Sequence, residues 1–495
     1  MKIPSPEAEL WTAPRWRAED LGAPLPPSVH ANSVCLPTWQ DVIDYEEKKP
    51  RVLDRLRAGY PRFVIPPMVA QFLETCRDRF ARPGERCLAY PGERAARRSV
   101  AAIHRWSGVE VRIEPWGDGR VFVVVYPEKA HEWALKYWRH TGDGVSSRRA
   151  EALLGGGSEP DGGAALATVR ERIGSLMAVP PDHVLLYPSG MAALYTVHRA
   201  VTALRPGARS VQFGFPYVDT LKIQQDLGPG ALFLPFGSEA ELPDLRAALA
   251  ADAVSGLFCE YPSNPLLVSP PLQAVDGIAS ARGVPVIVDD TISTYANVNP
   301  LPACDIVATS LTKFFTGRGD VMAGAVVLNP ARPLAAPLRR ALLAEHEESI
   351  WGGDAVLMDL YSRDFIERMK RTNTTTAELC AWLRGRPEVA EVYYPMFRAR
   401  AHYDAFKRPG AGYSGLFSIV LKDAAAGAAF FNRLEICKGP NLGTTFSLAC
   451  PFTMLAHYGE LDWAERCGVS RHLIRFSIGL EDAADLRARF ERAFG

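Results

Sequence analysis

Three groups of residues in this chain have types and positions that suit joint chemistry. They are a small-residue turn at Pro188-Ser-Gly-Met-Ala-Ala193, an acidic pair at Asp289-Asp290-Thr291, and a lysine at Ser310-Leu-Thr-Lys313. Each comes directly after a short apolar run that reads as a strand, and in open α/β sheets ligands bind beyond the carboxyl ends of the strands. Small residues opening a helix let backbone N–H groups face an anion such as a phosphate. A carboxylate at a strand end can hold a buried cation. A lysine amine becomes a good nucleophile for carbonyl carbon once its pKa is depressed. Each group alone has a plainer reading: an ordinary strand-to-helix turn, a helix cap, a surface lysine. Together they match the needs of pyridoxal 5′-phosphate (PLP), which requires an anion site, a carboxylate for its ring nitrogen and a lysine for its aldehyde. Lys313 is therefore expected to carry the cofactor. Only one of Asp289 and Asp290 can face the ring, because alternate residues of a strand face opposite sides.

The elements that must position these groups are legible in the apolar pattern. Val184–Tyr187, Ser210–Phe213, Ala231–Leu234, Gly256–Glu260, Val284–Val288, Ile306–Thr309 and Ala323–Leu328 are short apolar runs, several separated by helical stretches such as Leu242–Ala250 and Leu272–Arg282. Such alternation predicts a mainly parallel sheet with helices on both faces. Upstream, Val121–Tyr126 predicts a buried strand stopped by Pro127, and Glu132–Arg149 has helical character. The run Gly155–Gly163 lacks the Gly-Lys-Ser/Thr ending of a phosphate loop and reads as a surface turn. Downstream, helices over Ala377–Arg386, Ala424–Leu434 and Ala483–Phe494, with strands over Val389–Tyr394 and Phe417–Leu421, predict a smaller α/β domain. The divisions are an N-terminal extension over 1–135, a cofactor-binding domain over 136–371 and a small domain over 372–495. The extension is expected to wrap the large domain or a subunit interface.

Composition narrows the function classes. Apolar residues make up 47% and charged residues 23% of 495, enough for a large core. Lys+Arg and Asp+Glu both total 56, so there is no overall basic footprint for nucleic acid. Met1–Ala13 lacks the order of a signal peptide, and no apolar stretch approaches a membrane span. The nine cysteines include no C-x-x-C pair, which points to free thiols in a reducing cytoplasm rather than disulfides or zinc.

The chain resembles the cystathionine γ-synthase group of the Cys/Met-metabolism PLP enzymes. The segments that carry the resemblance are Pro188-Ser-Gly-Met191, Pro262-Ser-Asn-Pro-Leu-Leu267, Val286-Ile-Val-Asp-Asp-Thr291, Ser310-Leu-Thr-Lys313 and Leu473-Ile-Arg-Phe-Ser477. The fungal-type branch is closer still, through Val34-Cys-Leu-Pro-Thr-Trp39, Tyr45-Glu-Glu47, Gly59-Tyr-Pro-Arg-Phe63, Phe213-Gly-Phe-Pro-Tyr217 and Cys437-Lys-Gly-Pro-Asn-Leu-Gly-Thr-Thr-Phe446. The resemblance implies fold type I, a seven-stranded, mainly parallel sheet with a smaller C-terminal α/β domain. It puts Gly190, Met191, Ser310 and Thr312 at the cofactor phosphate. Tyr217 would stack on the ring and assist catalysis, Asp289 rather than Asp290 would lie at the ring with Thr291, and Asn264 would meet its phenolic oxygen. Arg475 would grip the substrate carboxylate, with Ser447 beside it.

Tyr137 and Arg139 resemble a pair that the family sends to the phosphate from a neighbouring subunit. This implies a homo-oligomer, a dimer of dimers, with shared active sites. Two positions depart from many members: Phe446 stands where an acidic residue is common, and Val268 where a basic one is frequent. Phe446 is thus expected to influence which nucleophile is accepted. The implied reaction is γ-substitution on an O-acyl-L-homoserine, with L-cysteine giving L-cystathionine. The alternatives are another nucleophile (sulfide, a different thiol or a carbon nucleophile) or a non-catalytic scaffold.

Overall fold

A computed structural model describes residues 9–495. Of the stretch read for a leader, residues 1–8 lie outside the described residues. No helix among the described residues is long and apolar enough to cross a membrane, and the nine cysteines are all free and buried.

The first described residues form a strap. Its helix Trp39–Glu46 starts at Thr38, whose hydroxyl accepts from the Asp41 N–H at 3.1 Å while the Asp41 carboxylate accepts from the Thr38 N–H at 3.0 Å. This reciprocal pair satisfies orphan donors of the first turn. The strap lies on the C-terminal domain: Trp11 Nε1 donates to the Thr445 carbonyl at 2.7 Å, and Trp39 meets Phe431 edge-on at 6.2 Å.

An N-terminal α/β unit comes next. Strands β1 (Glu85–Tyr90), β2 (Arg112–Trp116) and β3 (Val121–Pro127) form an antiparallel sheet in the order β1-β3-β2. The all-apolar run predicted at Val121–Tyr126 is the central strand. It is sandwiched between two cores: Val121, Val123 and Val125 face one cluster, and Val124 and Tyr126 the other. The single helical stretch read at Glu132–Arg149 is two helices, His131–Thr141 and Ser147–Leu154. Gly142 ends the first at φ +71, a left-handed backbone that glycine adopts without steric cost.

The large sheet has seven strands: β4 (Val184–Tyr187), β5 (Arg209–Phe213), β6 (Ala231–Leu234), β7 (Val254–Glu260), β8 (Val286–Asp289), β9 (Ile306–Ser310) and β10 (Gly324–Leu328). Their order is β4-β10-β9-β8-β7-β5-β6. Only β10 runs antiparallel to its neighbours, β4 and β9. Every residue of β7 is buried, which is why such strands read as continuous apolar runs. The C-terminal domain carries β11 (Val389–Tyr393), β12 (Leu416–Leu421), β13 (Cys437–Lys438), β14 (Leu448–Cys450) and β15 (Ile474–Ser477), ordered β11-β12-β15-β14-β13.

Both expected divisions fall inside helices. Residue 135 lies within His131–Thr141, and residue 371 within Phe365–Arg384. The helix expected at Ala377–Arg386 is the second half of the latter. Its first half reaches into a Thr-rich stretch of low helix propensity, where the Thr374 and Thr376 hydroxyls bond back to the carbonyls of Lys370 and Thr372.

Candidate active site

The carboxyl ends of β4, β8 and β9 converge on one cavity of about 400 Å³. After β4, the Ser189 hydroxyl accepts from the Ala192 N–H at 3.0 Å and starts the helix Gly190–Leu204. It also donates to the Gly142 carbonyl at 2.9 Å, tying the N-terminal unit to this turn. Gly190 lies so close to β9 that an added Cβ would stand 2.6 Å from the Ser310 Cβ. Gly190, Met191 and Ser310 all line the cavity, so the free N–H groups of a helix N-terminus open on it.

After β8 the two aspartates part. Asp289 lines the cavity, and its carboxylate accepts from the Thr291 N–H at 2.9 Å. The Thr291 hydroxyl in turn accepts from the Ser310 N–H at 2.8 Å, which clasps β8 to β9. Asp290 is buried on the opposite side, where it accepts from the Thr309 hydroxyl. Burial pushes Asp289 above the usual carboxylate range and Asp290 up to about 8.

Lys313 Nζ donates to Asn441 Oδ1 at 2.6 Å and sits 4.3 Å from the centre of the Tyr60 ring. Burial holds its pKa below the usual lysine value. Arg475 and Arg62 push the same way, against Tyr60. Arg475, on β15, is buried, and its guanidinium donates to Asn264 Oδ1 at 3.2 Å and to the carbonyls of Pro440 at 2.7 Å and Asn441 at 3.3 Å. All three acceptors are neutral, so its charge remains available to a ligand carboxylate.

The N-terminal strap supplies part of the wall. Arg62 is 2% exposed. It donates to the Asp219 carboxylate, to the Arg139 carbonyl at 2.5 Å and to the Tyr217 hydroxyl at 2.5 Å. Asp219 also meets His140 Nδ1 at 2.8 Å. Burial alone would raise the Tyr60 phenol, but Lys313 and Arg62 pull it below the usual tyrosine range. At the end of β7, Glu260 accepts from the Tyr217 N–H at 2.5 Å and the Asn264 N–H at 2.8 Å, positioning both. Burial and the neighbouring Asp289 push its carboxyl well up. Sequence reasoning gives no role to Tyr60, Arg62, Glu260 or Asn441. Glu260 carries the same strand-end signal as Asp289. The others lie in loops without periodicity.

Residues 164–495 match the Cys/Met metabolism PLP-dependent enzyme family, and residues 68–146 match the N-terminal domain of fungal trans-sulfuration enzymes. The chain belongs to the Cys/Met-metabolism family of PLP-dependent enzymes. It is 34% identical to cystathionine gamma-synthase of Neurospora crassa, over 96% of this chain and 98% of that one. It is 31% identical to L-2-amino-4-chloropent-4-enoate dechlorinase/desaturase of Streptantibioticus cattleyicolor, over 95% and 97%. Its fold is similar to the crystal structure of cystathionine gamma synthase from Xanthomonas oryzae pv. oryzae in complex with aminoacrylate and cysteine. That match has a TM-score of 0.59 and 27% identity, and covers 67% of this chain and 86% of that one.

The residues present suit PLP. The helix N-terminus at Gly190 could take the phosphate. Asp289, at the end of β8, offers a carboxylate to a cationic ring nitrogen, Lys313 is an amine of lowered pKa, and the Tyr217 ring lines the same cavity. Asn264 and Thr291 line it as well.

Several residues lie elsewhere than the family resemblance implied. Thr312 is turned from the enzyme's cavity: its hydroxyl accepts from the Ala323 N–H at 3.0 Å and donates to the Ala323 carbonyl at 3.2 Å. Ser447 is buried, with its hydroxyl donating to Glu481 at 2.9 Å and accepting from the Gly479 N–H at 3.0 Å. Phe446 packs in a core with Leu10, Leu25 and Cys35 of the strap and does not line the cavity. Tyr137 and Arg139 point to different surroundings. The helix His131–Thr141 buries Ala134, Tyr137, Trp138 and Thr141 on one face, which puts Tyr137 against Tyr90 and Tyr195. Arg139, on the other face, lines the cavity of its own chain.

The split of the aspartates has a measurable consequence. Asp289→Asn is expected to lose most turnover and bind PLP weakly, while Asp290→Asn keeps far more of both, as read by steady-state rates and cofactor titration. Asp290→Asn also tests its raised pKa. An acid with a higher pKa folded than unfolded holds its proton in the native state, so stability falls as pH rises from about 4 towards 8. Denaturant unfolding at pH 5 and pH 8 should show a smaller pH dependence in the variant than in the wild type. The reverse ranking of turnover would reject the assignment of Asp289.

Proposed function

We propose that the enzyme catalyses γ-substitution on an O-acyl-L-homoserine with L-cysteine, giving L-cystathionine and the free carboxylic acid. The observation that carries this is Asn441. Its side-chain oxygen accepts from Lys313 Nζ, and its backbone carbonyl accepts from Arg475. One residue thus touches both the proton-moving amine and the guanidinium suited to an α-carboxylate, the two groups needed to work at the Cα of an amino acid. The names of the relatives give the reaction class its direction.

PLP, when bound, supplies an electron sink for charge developed at Cα. Arg475 grips the substrate carboxylate through parallel N–H donors that a lysine cannot copy. Lys313 Nζ removes the Cα proton and then moves a proton from Cβ. The Cγ–O bond breaks and the acyloxy group leaves as a carboxylate. The cysteine thiol forms the new Cγ–S bond, its proton balances the released acid, and Lys313 returns protons to the carbon chain. Tyr217 is held by Arg62 at its hydroxyl and by Glu260 at its N–H, which fixes the ring beside these transfers. Tyr60, of lowered pKa beside Lys313, is placed to exchange a proton with it.

A second reading keeps the substitution and changes the nucleophile. It stands because the relative named dechlorinase/desaturase is a similar chain that works on another amino acid, with no cysteine in its name. Incubating the holoenzyme with O-acetyl-, O-succinyl- and O-phosphohomoserine, each with cysteine, sulfide, methanethiol or a carbon acid, separates the two. Mass spectrometry should find cystathionine from at least one ester. Product from another nucleophile, with none from cysteine, would replace the first reading by the second.

A further inference from the structure

The helix Trp39–Glu46 of the strap ends at the wall of the cavity, where Tyr45, Glu46 and Lys48 line it. Glu46 stands in the last turn, where the negative end of the helix dipole disfavours a carboxylate. It is half-buried, and burial pushes its carboxyl above the usual range, with Lys48 alone pulling against it. The adjoining Glu47 is by contrast well served, 3.2 Å from Lys49 Nζ and accepting from the Tyr458 hydroxyl at 2.7 Å. Lys48 adopts φ +59, a left-handed backbone where glycine is usual and a lysine is strained. The strap thus keeps an acid and a base in two unfavourable positions, both at the cavity. Lys313 and Arg475 line the same cavity as Glu46 and Lys48.

From this geometry we infer a zwitterion subsite on the strap, in which Glu46 receives the ammonium and Lys48 the carboxylate of the incoming amino-acid nucleophile. The inference rests on the γ-substitution proposed above and names what selects its second substrate. It also accounts for Phe446: with a carboxylate supplied by the strap, none is needed at that buried position. Glu46 and Lys48 are specificity residues and touch no breaking bond.

The test uses holoenzyme reduced with borohydride, in which the cofactor is fixed and no turnover occurs. Calorimetric titration with L-cysteine, 3-mercaptopropionate (no ammonium) and cysteamine (no carboxylate) reads the two contacts separately. The wild type should favour L-cysteine over 3-mercaptopropionate by about ten-fold or more, the worth of a hydrogen bond to a charged group. Glu46→Gln should erase that preference. Lys48→Gly should erase the preference over cysteamine while keeping or raising the melting temperature, since it relieves the left-handed backbone. Equal wild-type affinities, or preferences that survive these substitutions, overturn the subsite. Binding preferences as expected without cystathionine in the unreduced enzyme would overturn the reaction and leave the subsite. Cystathionine formation with unchanged preferences in Glu46→Gln would do the opposite.

Discussion

Lys313→Ala is expected to lower kcat by at least about 10²- to 10⁴-fold, the share that a positioned proton-transfer group contributes. Product formation at saturating substrate measures it. A depressed pKa does not by itself single this lysine out. Lys438 is also buried, and burial pushes its pKa down to about 7. Its amine, however, donates to the Phe431 carbonyl and lies 4.3 Å from the centre of the Phe431 ring, inside the C-terminal domain. Lys313 opens on the cavity with Asp289, Tyr217 and Arg475. Borohydride reduction and peptide mapping should therefore place the pyridoxyl group on Lys313 and leave Lys438 unlabelled. A Lys313→Ala variant within ten-fold of wild type, or a label on Lys438, would reject the assignment.

Arg62→Ala is expected to destabilise the fold by about 3–5 kcal/mol, the usual cost of leaving a buried charge without its partner. Both Arg62 and Asp219 are at most 2% exposed. Burial raises the Asp219 carboxyl, but Arg62 and His140 outweigh it and hold the group below the usual range. A carboxylate depressed in the native state contributes stability above its unfolded pKa of about 4 and loses it as pH falls through the folded value. Denaturant unfolding at neutral pH should show the loss, and the difference between wild type and variant should shrink in acid. Asp219→Asn in the same background should restore part of the stability, because the buried carboxylate, left with His140 as its one ionisable partner, is then gone. Additive losses in that double variant would mean that the two side chains do not depend on each other. Turnover should fall as well, since the Tyr217 hydroxyl loses the donor that orients its ring.

The cofactor-binding core is legible in the amino-acid sequence. Val184–Tyr187 and Ala231–Leu234 are strands at the bounds read for them, and the other five runs of the large sheet agree to within two residues at either end. Buried parallel strands declare themselves as short apolar runs, and the strand-end rule then singles out the residues just beyond them. Gly190, Asp289 and Lys313 all stand at such positions. Two-residue alternation along the strand puts Asp289 and Asp290 on opposite sides, and the family resemblance says which of them faces the ring. All of these are local signals, carried by neighbours along the chain.

Side-chain direction beyond the strand ends is not legible in this way. Thr312 sits two residues past β9, where the chain has left its regular period, and Ala323, just before β10, captures its hydroxyl. Phe446 draws attention through the residue type common at its position, yet the strap's apolar side chains enclose it. Tyr137 and Arg139 stand two residues apart, about half a turn of helix, which sets them on opposite faces, Tyr137 in a buried aromatic cluster and Arg139 at the cavity.

The strap's part in the site is the clearest case. Arg62 reaches Asp219 across 157 residues of sequence and Tyr217 across 155, and Lys313 reaches Asn441 across 128. No periodicity or spacing carries such contacts, because the loops that hold Tyr60, Arg62 and Asn441 have no regular repeat. Their positions depend on where the folded domains bury apolar surface, and that becomes definite only when the whole chain has closed on itself.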